Sequence, residues 1–430
     1  MRFKDYYIEI GAFALCFLNL FFPVIPQLLL YVVVIGCAWN RLPREAIGFC
    51  CLLFLKDVNH AMFFLNYHIS GIAPLTVLIG LFLMRDFFMS QWKHMLSYGK
   101  HLWMLMGLFF VSMLVMGTYA YNVSKLTALI TAGFFAYIAY CYILYNRDKL
   151  DYYKLALYCA IFAIFLLQLN VVANHYGTPS SITDFAFYRL QVGADMYTDL
   201  AESGILYATH YQFFGTMCTY GFALCLSLCK LNVKQVILLL TFNIFAIGYT
   251  GARQYLLIMV VLFSIYILFM KAPVIIKSLI ILCGFVLVSY IVYNTIMSDY
   301  IEKISDSGLF AGSGREDTIE RGMALFKQHP IFGVGFGGYN MYGDYKVYPH
   351  NMFVELLAEV GITGLIIIVL IELSNIKGMR VLLDSKHNTY LMYVVMALFL
   401  RSMISLSMTG NIVLFSVLSA CYYYTRKRVC

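Results

Sequence analysis

Long apolar runs recur along this chain, each closed by a short polar break. Most are about 17–23 residues, the length that spans a bilayer core. The pattern predicts helices at about 8–22, 24–39, 46–64, 71–88, 102–119, 124–145, 152–173, 206–229, 233–249, 254–270, 273–294, 351–373, 388–406 and 409–424. That makes about 14 transmembrane helices, the first two short enough to form a tight hairpin. Two stretches interrupt the rhythm, 174–205 and 295–350. Both carry turn residues and read as ordered loops. Within the second, Arg315–Gln328 has helical spacing, with Met323, Leu325 and Phe326 as its apolar face and Pro330 and Gly333 as its stop. Such a helix can lie on a membrane surface. The expected fold class is all-α, a polytopic integral membrane bundle forming one transmembrane domain over 1–430. No internal repeat and no soluble domain is visible.

Composition agrees. Hydrophobic residues make up 62% of the 430 positions and charged residues 12%, about half the charge of a soluble domain. The net charge of +8 is explained by its placement, not by a nucleic-acid partner. With both termini cytoplasmic, twenty Lys and Arg fall on the inner side and eight on the outer: Lys125, Arg189, Arg253, Lys303, Arg315, Arg321, Lys327 and Lys346. Lys56 and Arg401 fall inside helices. The inner excess runs through nearly every short loop, as the positive-inside rule requires, and favours an even helix count. Both long loops then lie outside. The twelve cysteines sit almost wholly in apolar runs, with no disulfide framework and no CxxC pattern. Arg2 and Lys4 precede the first apolar run without a small-residue cleavage site, so it reads as an uncleaved helix.

The candidate chemistry lies between Gly312 and Gly364. An arginine at a membrane interface can simply snorkel to head groups. The outer face is nearly cleared of basic charge, however, so Arg253, Arg315 and Arg321 each need a reason. A guanidinium presents a planar fork of donors suited to phosphate oxygens, and several together suit a diphosphate. His350 stands where the long loop meets a helix. It either packs locally or serves as a general base, since imidazole titrates near neutral pH. The glycines at 333, 335, 337 and 338 follow no strand and are read as tight-turning backbone. Asn351, Glu355 and Glu359 are four apart and share one helical stripe.

Buried charges need partners. Glu355 and Arg401 both lie about 7–8 Å below the outer boundary at 1.5 Å per residue, so the expected pair is Glu355–Arg401. Gly361 and Gly364 read as close helix approach. Lys56, Asp57 and His60 form a polar cluster that either pairs internally or lines a groove. Arg189, Asp195, Asp199, Glu202 and His210 are candidate sugar or acceptor contacts. No HExxH or Asp-x-Asp pattern occurs, so no metal is expected.

The ordered set Ser313-Gly314-Arg315, Pro330-Ile331-Phe332-Gly333-Val334-Gly335, His350-Asn351 and Leu357-Ala358-Glu359-Val360-Gly361-Ile362-Thr363-Gly364 resembles the O-antigen ligase/polymerase superfamily. Thr250-Gly251-Ala252-Arg253 resembles that family's small-residue-plus-arginine helix start. The motifs cover about 120 residues. The resemblance implies a metal-independent, inverting glycosyltransferase of the bacterial inner membrane that needs no cofactor. Its donor and acceptor would be glycans on undecaprenyl diphosphate at the periplasmic face. Arg253 and Arg315 would hold the diphosphate and His350 would act on the acceptor hydroxyl. Arg321, Arg189, Asn351 and His210 would be further substrate contacts. Membrane lipid and a chain-length regulator protein would be partners. A polymerase of lipid-linked repeat units is preferred, from the 35 Tyr and 35 Phe, the high helix count and the placement of Arg189 and Arg315 in two outer loops. The alternatives are a ligase acting on lipid A-core and a flippase for lipid-linked glycans. A flippase should carry polar residues through the full depth of several helices, whereas here they cluster on the outer side.

Overall fold

The computed structural model describes residues 3–21, 27–54, 74–146, 149–175, 211–229, 231, 233–250, 253–269, 273–275, 277–278, 282, 286, 315–342, 349–383, 391–404 and 408–429. After a 3-10 turn over Phe3–Tyr6, the helices are α1 (Tyr7–Phe21), α2 (Gln27–Arg41), α3 (Arg44–Leu53), α4 (Pro74–Leu83), α5 (Arg85–Tyr98), α6 (Lys100–Val115), α7 (Tyr119–Tyr145) and α8 (Tyr152–His175). They continue with α9 (Tyr211–Leu228), α10 (Val233–Thr250), α11 (Arg253–Phe269), α12 (Arg315–Gln328), α13 (Gly338–Met341), α14 (Met352–Leu383), α15 (Met392–Ile404) and α16 (Met408–Val429). No strand occurs among the described residues. In a bilayer the backbone must satisfy its own hydrogen bonds, and a helix does so within one segment.

Two described helices are long and apolar enough to cross a membrane, Lys125–Tyr145 and Met352–Ile376. A third span arises if α5 and α6, which meet at 64°, count as one. Shorter apolar helices, including Tyr152–Ile164 and Gly215–Leu228, accompany them. The expected helix 71–88 is instead two elements, because α4 ends at Leu83 and α5 begins at Arg85. The missed helix α5 mixes polar and apolar residues, leaves Met89, Trp92 and Leu96 exposed, and buries a single stripe, Phe87, Gln91 and Met95. The expected polar cluster Lys56, Asp57 and His60 and most of the helix at 273–294 lie outside the described residues.

The chain forms two compact units, residues 1–84 with 149–296 and residues 85–148 with 297–430. In the first, α8 packs against α1, α2, α9 and α10. Glu9, fully buried on α1, takes Nε and Nη2 of Arg41 at 2.9 and 3.3 Å, and Arg41 also donates to the Asp5 carbonyl at 2.6 Å. Both ends of this short helical hairpin are thereby tied.

In the second unit α16 is central and packs against α5, α6, α7, α14 and α15. Close approach to α7 is made at Gly133, where an added Cβ would lie 3.0 Å from Ile412 Cγ1 of α16. Ser416 Oγ donates to the Gly133 carbonyl across that crossing at 2.9 Å. Buried tyrosines follow the same rule, filling space and placing their hydroxyls on acceptors. Tyr137 donates to the Met95 carbonyl and Tyr423 to Gln91 Oε1, both at 2.9 Å. The outward face of α14 is apolar at Ile362, Ile366, Ile367, Leu370 and Leu373, as a lipid-facing stripe should be.

The Glu9–Arg41 pair gives a direct test. Breaking a buried pair from one side strands a charge, while removing both charges does not. Glu9→Leu should lower stability by about 1–3 kcal/mol, discounted for the part-exposed arginine. Glu9→Leu with Arg41→Leu should cost less than either change alone. Thermal unfolding in detergent micelles reads the difference.

Candidate functional site

The second unit carries the candidate site, built on a break in α14. Gly361 has φ 65° and ψ −169°, which no continuous helix accommodates. A regular helix would bond the Ile362 N–H to the Ala358 carbonyl and the Thr363 N–H to that of Glu359. Here all four groups turn to the glycine-rich loop instead. Val334 N donates to Ala358 O at 2.9 Å and Gly335 N to Glu359 O at 2.8 Å. Ile362 N donates to Pro330 O at 2.9 Å and Thr363 N to Ile331 O at 3.2 Å. Two helical bonds are exchanged for four bonds to the loop. Thr363 Oγ1 adds a fifth, to Ile331 O at 2.6 Å.

Only glycine fits where the two backbones meet. A Cβ on Gly361 would lie 2.4 Å from Ile331 O, and one on Gly333 would lie 2.5 Å from the Glu359 carbonyl. Gly333 and Gly361 also have positive φ, a region side chains disfavour. The sequence reading of tight-turning backbone at 333–338 and close approach at Gly361 therefore meets its structural counterpart, with a loop as the partner at Gly361. At Gly364 the neighbour is different, because an added Cβ there would strike Val360 of the same helix.

Beyond the break, Phe336 is fully buried. Its N–H donates to Ser112 Oγ at 3.2 Å, its carbonyl accepts from Thr118 Oγ1 at 2.8 Å, and its ring lies 4.9 Å from that of Phe109. Lys125 Nζ stands 5.0 Å from the Phe336 ring centroid, within cation–π reach. The same ammonium donates to Glu355 Oε1 and Glu359 Oε1, each at 2.7 Å. Glu355 Oε2 accepts from the Met408 N–H at the start of α16, also at 2.7 Å. One cation thus ties α7, α14 and the loop.

This arrangement corrects the expected Glu355–Arg401 pair, because the cation in contact with Glu355 is Lys125. Arg401 is buried on α15. One helix boundary explains the difference. α7 starts at Tyr119, five residues before the expected 124, which places Lys125 six residues inside its helix, about 9 Å from the end at 1.5 Å per residue. It is a helix-borne partner for the acids and not an outer loop cation. Two acids four apart on one stripe ask for a cation at their depth, and that signal was available in the sequence.

His350 stands at the start of α14, and Arg315 and Arg321 belong to α12 of the same unit. His350 is part-buried and adopts φ 53°, a left-handed turn that directs the chain into the helix. Asn351 caps that helix, its Oδ1 accepting from Phe353 N at 3.0 Å and Val354 N at 3.2 Å. Its Nδ2 donates to the Met403 carbonyl at 3.2 Å, so the expected substrate contact serves here as a cap and tether.

α12 packs on the first turns of α14. Its buried stripe is Thr318, Gly322 and Leu325, whereas Met323 and Phe326 of the expected apolar face are only part-buried. A Cβ on Gly322 would lie 2.5 Å from Val354 and 3.8 Å from Pro349, so Arg321 sits on a helix pressed against the His350 turn. Arg315 opens the same helix. The Tyr339 hydroxyl donates to the Thr318 carbonyl at 2.8 Å. Burial pushes the Tyr339 phenol up, with nearby Arg321 pulling the other way. Arg253 opens α11 in the first unit. Arg189 and His210 lie outside the described residues.

The break generates its own test. Gly361→Ala should lower stability by about 2–4 kcal/mol, because it combines a disfavoured φ with a clash against loop backbone. Gly364→Ala also clashes, with Val360 Cβ at 2.4 Å, but at an ordinary φ and against a side chain, so it should cost less. Thermal midpoints of the purified variants decide the ranking.

Searches of curated proteins and of solved structures found no match to this chain. Residues 236–369 match the family model described as O-antigen ligase. That stretch contains Arg253, α12, the glycine loop, His350 and the broken part of α14. Over that segment, which is less than half of its length, the chain is similar to the O-antigen ligase family.

Proposed function

We propose that this membrane protein is a glycosyltransferase that polymerises glycan repeat units carried on undecaprenyl diphosphate. The observation that carries the reading is the seating of the arginine-bearing helix α12 against the His350 turn, inside the segment that matches the family. In this reading the chain crosses the bacterial inner membrane about fourteen times with both termini cytoplasmic. The site faces the periplasm, where lipid-linked donor and acceptor meet. A chain-length regulator is a further partner.

The chemistry follows from the groups present. A ring nitrogen of His350 takes the proton of the acceptor hydroxyl as that oxygen attacks the anomeric carbon. The bond from that carbon to the diphosphate oxygen breaks, and the lipid diphosphate departs with the electron pair. Attack from the opposite face inverts the anomeric centre. Negative charge grows on the leaving group, and fixed guanidinium groups stabilise it. Arg315 and Arg321 serve here from α12, and Arg253 keeps the diphosphate role that its sequence pattern gives it. Arg189 and His210 remain proposed substrate contacts, whereas Asn351 acts by holding the helix below His350.

One observation favours a second reading. The matching family is described as a ligase, which fits transfer of a finished glycan to lipid A-core.

Complementation of a deletion strain, with lipopolysaccharide length read on a gel, separates these. Under the first reading the deletion leaves core plus a single repeat unit. Bare core with accumulated lipid-linked glycan supports the ligase. His350→Ala should lower transfer by about 10²–10⁴-fold, the usual worth of a general base. Arg315→Ala should weaken binding of undecaprenyl diphosphate. A well-folded His350→Ala protein with full transfer would exclude the proposed base.

A further inference from the structure

The buried cation at the centre of the second unit has no role in the chemistry above, yet both parts of the proposed site are tied to it. One tie runs through Glu355. This residue is one turn below Asn351, whose carbonyl accepts the Glu355 N–H at 3.1 Å, and His350 is the next residue up the chain. The other tie runs to the glycine loop, where the Phe336 ring lies 5.0 Å from the ammonium and the next residue is Gly337. Gly337 opens α13, whose Tyr339 holds Thr318 on α12. The Lys125 side chain is 11% exposed and the two carboxylates 1% and 2%. Its two contacts are equal at 2.7 Å, and the Phe336 ring covers it at 5.0 Å.

An ion pair used for stability alone could be replaced by apolar packing. This one has a geometry that such packing could not copy. A single nitrogen meets both acids of the helix under His350 and the Phe336 ring of the loop that joins α12 to α13. We infer that Lys125 is a positioning residue for glycosyl transfer, fixing the spacing between the His350 turn and the arginine-bearing helix. The inference rests on the functional reading given above. It predicts that transfer is sensitive to the length and shape of the cation and not only to its charge, since a misplacement of about 1 Å can cost about 10²-fold in rate.

The test compares four full-length proteins: wild type, Lys125→Arg, His350→Ala, and a neutral replacement combining Lys125→Met, Glu355→Gln and Glu359→Gln. Three quantities are read for each. They are the thermal midpoint in detergent, the binding of undecaprenyl diphosphate, and glycan transfer per folded molecule in membranes of the deletion strain. The neutral replacement should keep its midpoint within a few degrees and bind undecaprenyl diphosphate within about 3-fold, while transfer falls about 10²-fold. Lys125→Arg keeps the charge but lengthens the arm. It should fold and bind the diphosphate, and lose at least about 10-fold in transfer.

Full transfer per folded molecule in the neutral replacement would overturn the inference. If that protein does not fold, Lys125→Arg decides, and wild-type transfer there overturns it equally. His350→Ala keeps the two proposals apart. Full transfer in that variant removes the base assignment whatever Lys125 does. Loss of transfer there beside normal transfer in the folded Lys125 variants removes only the positioning role.

Discussion

The second unit depends on the exchange of backbone hydrogen bonds at Gly361. A helix broken this deep in an apolar segment leaves two carbonyls and two N–H groups without partners. Each such group, if buried and unpaired, costs on the order of 1–3 kcal/mol. The segment from Pro330 to Gly335 satisfies all four at once. Because the partners are backbone atoms, the fit depends on residues without side chains, and Gly333 and Gly361 supply them from the two sides. The glycine pattern and the helix pattern are thus two halves of one joint.

The joint explains the placement of the charges. With the loop lying against α14, Phe336 and Gly337 come to the stripe that carries Glu355 and Glu359, and Lys125 completes the set from α7. Two carboxylates in a nonpolar setting would be costly alone. Here both accept from the ammonium, and Glu355 accepts from a backbone N–H as well. The polar atoms are those the fold itself brings together, and the proposed chemistry stands just above them at His350.

Much of this architecture is legible in the sequence because apolar run length and loop charge are local properties. The helix starts at 152, 233, 253 and 352 fall within one residue of the expectation. Boundaries failed where a polar segment stayed helical. α5 interleaves Phe87, Phe88, Met89, Trp92, Met95 and Leu96 with charged and polar residues, so it shows no long apolar run and its helix buries one stripe. At the site, the His350 turn and the helix over Arg315–Gln328 were readable, since a turn and an amphipathic period leave local marks.

The sequence by itself determined the membrane class, most helices, the arginine-bearing helix, and the glycines as places of close backbone approach. Those features follow from the chemistry of neighbouring residues along the chain. Only the tertiary structure decided that Gly361 receives a loop, that Asn351 is tethered to Met403, and that Glu355 pairs with Lys125 in place of Arg401. The physical reason is distance along the chain. Lys125 and Glu355 are 230 residues apart, and their contact is set by how α7, α14 and α16 pack. No local pattern encodes which of several buried cations arrives at the right depth and on the right face.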